Sequence, residues 1–547
     1  MTAEPPSASA ISDPDRQVPE TPSGRGRRLA LSTAFFSFAT GISRVAGLVR
    51  EIYAASLFGV SGRMSAFTIA FQVPNLIRAL FADAALQGAF VPVFTELLEK
   101  GRKREAFKVA SGLISLIVML LGSLTILFWL VAPLVMKLAA PGFHDQQFLQ
   151  DITVGLSRVM FPLVAIMAVQ GVFVGMLNSF ERFGAAAFAP VLWNLTIIAS
   201  LAFVTPAYPE SDEIYAYAWG VLAGTVVQLL FPMPWLRGLG GRFTLEFNWR
   251  NPYVTRVLKL MLPVTIALGL INFSLLINSF FGTLVNEQAP AAIDKAFRIY
   301  MLPQGLFSVA IATILFPTLS RFAARGALGD LRRTMANGVR LICLLLIPSA
   351  AIMAVLAEPI TRLVYQRGEF DAHATHLVAV AMLWWAFSLP AQGVSLLFSR
   401  TFFSLQRPWV TTALAGGNLA LNAVVSLALY APFGVGGVVL GTVLATVAMA
   451  LAQGWMLRHE LDGVEGQKTF DAIVRLLAAA AVQAGVSYLA WRGVDSVVGR
   501  ALWAQAVSVG AGILAGVVVY AAAVLLMRVP EARQVRALLA GRLRREP

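Results

Sequence analysis

From residue 29 to residue 527 the chain alternates long apolar stretches with short polar connections. Crossing a bilayer as a helix takes about 20 mostly apolar residues. Stretches of that kind fall at 29–49, 64–94, 107–137, 152–178, 184–205, 214–236, 253–284, 291–320, 338–365, 374–404, 409–431, 434–457, 470–491 and 501–527. Backbone polar groups inside a bilayer must be satisfied within the segment itself, so each stretch predicts a helix. The expected fold class is an all-α polytopic membrane protein with 14 transmembrane helices and no soluble domain between them.

Composition narrows the function. Of 547 residues, 58% are apolar and 13% charged, against roughly 25% charged in soluble domains. Such a chain is neither disordered nor an ordinary soluble enzyme. The net charge of +14 is explained by where the bases sit. Lys100–Arg104, Arg182, Arg237–Arg250, Arg321–Arg333, Arg407 and Arg458–Lys468 mark alternate connections, while 144–151, 206–213, 286–290 and 431–434 are acidic or poor in bases. The excess of bases on cytoplasmic loops assigns the first set to the cytoplasm, and an even number of spans puts both termini there. Residues 1–28, rich in proline, read as a disordered cytoplasmic tail, and 528–547 as a basic cytoplasmic C-tail. The charge sets topology and implies no nucleic acid. The single cysteine, Cys343, lies in an apolar run, which excludes an intramolecular disulfide and a cysteine-based metal site.

An internal repeat appears at an offset of 225 residues: Pro92 and Pro317, Gly101 and Gly326, Glu105 and Asp330, Ser179 and Ser404, Arg182 and Arg407 correspond. It predicts two pseudo-symmetric six-helix lobes, 29–240 and 241–465, followed by two extra C-terminal helices within 466–527. Six being even, both lobes enter the membrane in the same sense, as in transporters with parallel repeats that alternate access around a midplane site.

Ionisable residues within spans are costly and mark function by default. The first stretch carries Arg44, Gly47, Arg50 and Glu51 at helical spacing; the second carries Pro74, Asn75, Arg78 and Asp83; the eighth carries Asp294, Arg298 and Pro303. Arginines at membrane depth from both halves predict a cationic cavity suited to an anion, since guanidinium forks match phosphate. The competing reading is a set of structural ion pairs, Arg44 with Asp83 or Glu51 and Arg298 with Asp294. Asn272, Ser274, Asn278 and Ser279 either line the cavity or bond between helices, and Arg158 either faces the cavity or snorkels. Glu369, Asp371, His373 and His376 read as a wet loop mouth. No phosphate loop, zinc-binding HExxH or nucleophile elbow is present, so neither an enzyme nor a metal or cofactor site is expected.

Two segments carry a family resemblance. SRVAGLVREIYAASLFG followed by PNLIRALFADAALQGAFVPVF, and later RIYMLPQGLFSVAIATILFPTLSR, resemble the MurJ/MviN lipid II flippase family of the multidrug/oligosaccharidyl-lipid/polysaccharide exporter superfamily. The resemblance implies a transporter of the bacterial cytoplasmic (inner) membrane. Its substrate would be lipid II, the undecaprenyl-pyrophosphate-linked disaccharide-pentapeptide of peptidoglycan synthesis, moved from the inner to the outer leaflet. It implies membrane lipids as further partners, together with cell-wall synthesis machinery, and membrane potential or an ion gradient as drive. Essential cavity arginines of the family match Arg44, Arg50 and Arg298, and a further one matches Arg78. Ser43, Glu51, Asn75 and Asp83 occupy family cavity positions of like chemistry, and helices 13 and 14 correspond to a lipid-tail groove. Two positions depart: Ser65 stands where an aspartate is common, and Met301 where some members carry glutamate. A flippase for another polyprenyl-pyrophosphate glycan and a drug/cation antiporter of the same superfamily are the alternatives.

Overall fold

The computed structural model describes residues 22–81, 84–239 and 251–531. Asp83, residues 1–21 of the expected N-terminal tail and residues 532–547 of the C-tail lie outside the described residues. The first half consists of α1 (Pro22–Phe58), α2 (Gly62–Phe81), α3 (Ala84–Glu99), α4 (Lys103–Ala139), α5 (Gln147–Met160), α6 (Leu163–Ser179), α7 (Phe183–Phe203), α8 (Ile214–Leu230) and α9 (Met233–Leu236). The second half consists of α10 (Pro252–Val285), α11 (Ala289–Pro303), α12 (Val309–Ala324), α13 (Leu328–Val355), α14 (Ala357–Tyr365), α15 (Ala372–Ser404), α16 (Pro408–Glu460), α17 (Gly466–Val498) and α18 (Leu502–Leu526). Ten helical runs among the described residues are long and apolar enough to cross a membrane. The 53-residue α16 covers two of the expected stretches and turns back at Gly434, whose φ of 55° and ψ of −134° are not helical. One boundary needs correction: α1 begins at Pro22, ahead of the expected residue 29. Proline is preorganised for a first helical position and loses no hydrogen bond there.

The 225-residue offset recurs in the backbone. α4 starts at Lys103 and α13 at Leu328; α7 starts at Phe183 and α16 at Pro408. Positive φ follows the same register: Gly101 and Gly326 (70° and 67°), Glu181 and Gln406 (58° and 59°), Gly238 and Gly463 (80° and 122°).

Several spans carry prolines, each of which orphans the carbonyl four residues earlier. At Pro133 and Pro162 a neighbouring helix satisfies the freed group, as it must in lipid. Pro133 frees the Trp129 carbonyl, which accepts from Arg158 Nε at 3.0 Å. Pro162 frees the Arg158 carbonyl, which accepts from Trp129 Nε1 at 3.2 Å. Arg158, which sequence left open between two orientations, therefore closes a reciprocal link between α4 and α5. Ser274 and Asn278 of α10 act between helices, while the side chain of Asn272 lies outside the described residues: Asn422 Nδ2 donates to Ser274 Oγ (3.2 Å) and Asn278 Oδ1 (3.4 Å), and Thr442 Oγ1 donates to Asn278 Oδ1 (2.9 Å). This is the polar glue that packs membrane helices lacking a hydrophobic driving force.

Helices of each half pack mainly on one another, and the halves meet where α10 and α11 lie against α2 and α3. At one end of the bundle the contact is made by backbone. The Glu369 N–H donates to the Ser56 carbonyl at 2.9 Å, and the Gly142 N–H to Thr283 Oγ1 at 3.2 Å. A Cβ on Gly142 would overlap the Thr283 carbonyl, and one on Gly368 the Ser56 carbonyl. At the opposite end Arg256 pairs with Glu96 (2.9 Å), and Arg102 donates to Tyr253 Oη (2.8 Å). α17 and α18 pack on α13 and α14. Arg340 pairs with Glu465 at 3.2 Å and with Glu531, and Arg362 pairs with Asp495 at 2.9 Å.

Candidate functional site

α1, α2, α6, α7, α8 and α11 converge on a cavity of about 360 Å³. Phe67, Phe71, Met167, Trp193, Tyr217 and Val221 form its apolar wall, and Arg50, Glu51, Asn75, Arg78, Gln228 and Arg298 its polar one. The aromatic wall is rigid: Phe67 stacks on Tyr217 with centroids 4.0 Å apart. The Arg50 guanidinium lies 4.6 Å from the Trp193 ring centroid, a cation–π contact that strengthens on desolvation.

Glu51 is the hub of the charges. It is 3% exposed. Its Oε1 accepts from Arg50 Nη2 at 2.6 Å and Arg298 Nη1 at 3.0 Å, and its Oε2 accepts from Lys295 Nζ at 2.8 Å. Arg298 also pairs with Asp294 one turn away, at 2.8 Å. Three cations thus surround two carboxylates, and Arg78, bonded through Nε to Asn75 Oδ1 at 3.0 Å, also lines the cavity. Buried ions persist only when paired and hydrogen-bonded. These are paired, yet the balance stays positive, and Arg50 and Arg298 border empty space. Such a cavity can take an anion by exchanging a carboxylate for a phosphate at two guanidinium forks.

Of the residues singled out from sequence, Arg50, Glu51, Asn75, Arg78 and Arg298 meet around this cavity. Arg44 and Ser43 lie outside this lining. Arg44 lies seven residues from Glu51, about 10 Å along a helix. It is exposed, with its Nη1 3.5 Å from where a Cβ on Gly305 would sit, at the π-helical turn Gln304–Ser308 that follows Pro303. Ser43 offers its carbonyl to Asn194 Nδ2 at 3.4 Å, and Gly47 faces the same asparagine. The expected Arg298–Asp294 pair is present, and it coexists with the cavity.

Sequence reasoning missed Lys295, Trp193 and Tyr217. Lys295 is fully buried, and the rule that flagged its neighbours, a charge within an apolar span, applies equally to it. The two departures are also placed. Ser65 is fully buried, and its Oγ accepts from the Ala291 N–H at 3.1 Å in the first turn of α11. Met301 is 50% exposed and borders no part of the cavity.

The chain matches the family described as lipid II flippase MurJ over residues 54–532. A protein of Rhizobium meliloti (strain 1021) named probable lipid II flippase MurJ is 33% identical over 452 residues, covering 82% of this chain and 84% of that one. One of Bdellovibrio bacteriovorus with the same name is 29% identical over 499 residues, covering 90% and 94%. Among solved structures, a lipid II flippase MurJ in an inward closed conformation superposes with a TM-score of 0.74 at 20% identity, over 90% of this chain and 99% of that one. An inward-facing multidrug resistance MATE family transporter of the MOP superfamily superposes with a TM-score of 0.64 at 17% identity, over 78% and 96%. These two structures share the fold with this chain.

Proposed function

The chain belongs to the lipid II flippase MurJ family, and from that premise we propose that it carries lipid II from the inner to the outer leaflet of the bacterial cytoplasmic membrane. The observation that carries the reading is the sharing of Glu51 Oε1 by Arg50 and Arg298 at the edge of a cavity with excess positive charge. A diphosphate entering the cavity takes both guanidinium groups from that oxygen. No covalent chemistry is involved, and the cycle needs no cofactor.

In this reading the chain crosses fourteen times with both termini in the cytoplasm, as two six-helix lobes related by the 225-residue repeat. The end closed by Gly142, Thr283, Ser56 and Glu369 faces outward, and the headgroup enters from the opposite side. Arg44, exposed beside the α11–α12 turn, meets the diphosphate first; Arg50, Arg78 and Arg298 receive it inside. The isoprenoid tail stays in lipid along α17 and α18 while the lobes rock. Moving one net charge across 100 mV is worth about 2.3 kcal/mol, so the membrane potential can drive or return the charged cavity. A drug/cation antiporter would offer carboxylates to its cargo, whereas Glu51 and Asp294 are already engaged by cations.

The test is genetic and chemical. Depletion of the protein should accumulate lipid II in the inner leaflet. Arg298→Ala and Arg44→Ala should insert normally yet fail to complement. Full complementation by Arg298→Ala would overturn the assignment of the cavity, and unchanged lipid II on depletion would overturn the substrate.

A further inference from the structure

We propose that Lys295 is a positioning residue, the standing counter-ion of Glu51 that releases Arg50 and Arg298 to bind an anion. The inference rests on the reading of the cavity as a diphosphate site. Lys295 lies three residues before Arg298 on α11 and is fully buried, and it does not border the cavity. Among the described residues its ammonium meets Glu51 Oε2 at 2.8 Å and the face of Tyr365, 5.9 Å from the ring centroid. The Tyr365 hydroxyl in turn donates to the Lys295 carbonyl at 3.5 Å, holding that turn of α11 against α14.

The two oxygens of Glu51 are thus divided. Oε1 takes both arginines, which line the cavity; Oε2 takes the lysine, which does not. A fully buried ammonium is expensive, and a well-packed apolar side chain would serve stability as well or better, so its presence calls for an electrostatic role. When a diphosphate draws Arg50 and Arg298 off Oε1, a bare carboxylate would be left beside a doubly charged ligand. Lys295 stays on Oε2 and cancels that charge. Without it the arginines are committed to Glu51, and the cavity loses its affinity for anions while keeping its shape.

The experiment uses the full-length protein in nanodiscs with farnesyl diphosphate and farnesyl monophosphate as probes, with thermal unfolding as the control for folding. Lys295→Met should weaken farnesyl diphosphate binding about tenfold or more and the monophosphate less, because the penalty is Coulombic and follows ligand charge. Glu51→Gln should bind the diphosphate at least as tightly as the parent protein. The double variant Lys295→Met/Glu51→Gln lacks both charges and should return to parent affinity. Unchanged diphosphate binding in Lys295→Met, or equal losses for both ligands, would overturn the proposal. Should Lys295→Met fail to fold, the double variant decides alone: parent-like affinity supports the role, and a tenfold loss overturns it. Arg298→Ala separates the two readings. If it loses diphosphate binding while Lys295→Met does not, only the role of Lys295 fails; if it binds normally, the cavity assignment fails and this inference with it.

Discussion

The Tyr520 hydroxyl donates to the Leu344 carbonyl at 2.9 Å, and Leu344 is the residue whose helical partner Pro348 cannot supply. A side chain of α18 therefore completes the hydrogen bonding of α13 where its own ladder is broken. Gln483 of α17 adds a donor to the Pro348 carbonyl at 3.5 Å. Tyr520→Phe should destabilise the protein by about 1–2 kcal/mol, because a buried carbonyl is left unpaired. In a Pro348→Ala background, where the helix can supply its own N–H, the same substitution should cost much less. A double-mutant cycle of thermal unfolding measures the difference; equal costs in both backgrounds would contradict the assignment.

Gly142→Ala should wedge apart the end of the bundle where its backbone meets Thr283. Cys343 is the sole cysteine and is buried, so a reporter at Ser56→Cys can be labelled with little background. Labelling of that reporter by an impermeant maleimide should rise when Gly142→Ala is added, and lipid II transport should fall. Unaltered labelling would mean that the contact does not seal this end.

Ser65→Ala should loosen α2 from α11, since it removes the oxygen that satisfies the Ala291 N–H. Loss of a capping oxygen typically costs about 1 kcal/mol, read as a lower unfolding temperature. Ser65→Asn retains an acceptor and should lose less.

At the opposite end, Lys100 and Arg256 hold the Glu96 carboxyl below its ordinary range through hydrogen bonds and charge. A carboxyl whose folded value lies below its unfolded one stabilises above the unfolded value, and that contribution fades as pH falls through the folded value. Glu96→Gln should therefore lower the unfolding temperature near neutral pH and make little difference at about pH 3, below the unfolded value. The pair is exposed, so added salt should shrink the neutral-pH effect. A difference that persists undiminished at low pH would show that Glu96 acts by packing.

Much of this was legible from sequence because hydrophobic length and repeat register are local properties. The spans lie on helices, and the 225-residue offset reappears in the matched starts of α4 and α13 and in paired positive-φ residues such as Gly101 and Gly326. Arg50, Glu51 and Arg298 were visible as charges where charges are costly. Lys295 carries the same signal, but nothing local marks its partner, which lies 244 positions away. Arg44 shares a helical face with Glu51 but lies outside the lining, because helical spacing gives direction around the axis more readily than distance along it. The tasks of Trp129, Arg158 and Tyr520 depend on which orphaned carbonyl a neighbouring helix presents, and nothing in a single span records that.

The seal at Ser56, Gly142, Thr283 and Glu369 is made chiefly of main chain. Closing it orders few side chains, so each return to the shut state escapes most of the rotamer entropy, about 0.5–1.5 kcal/mol for each rotamer-rich side chain immobilised. The ion pairs that join the halves lie deeper, where Glu51 of α1, five residues before Ser56, meets Lys295 and Arg298 of α11. The grip of this contact depends on how closely two backbones can approach. One methyl group at Gly142 or Gly368 is the smallest change that would push them apart.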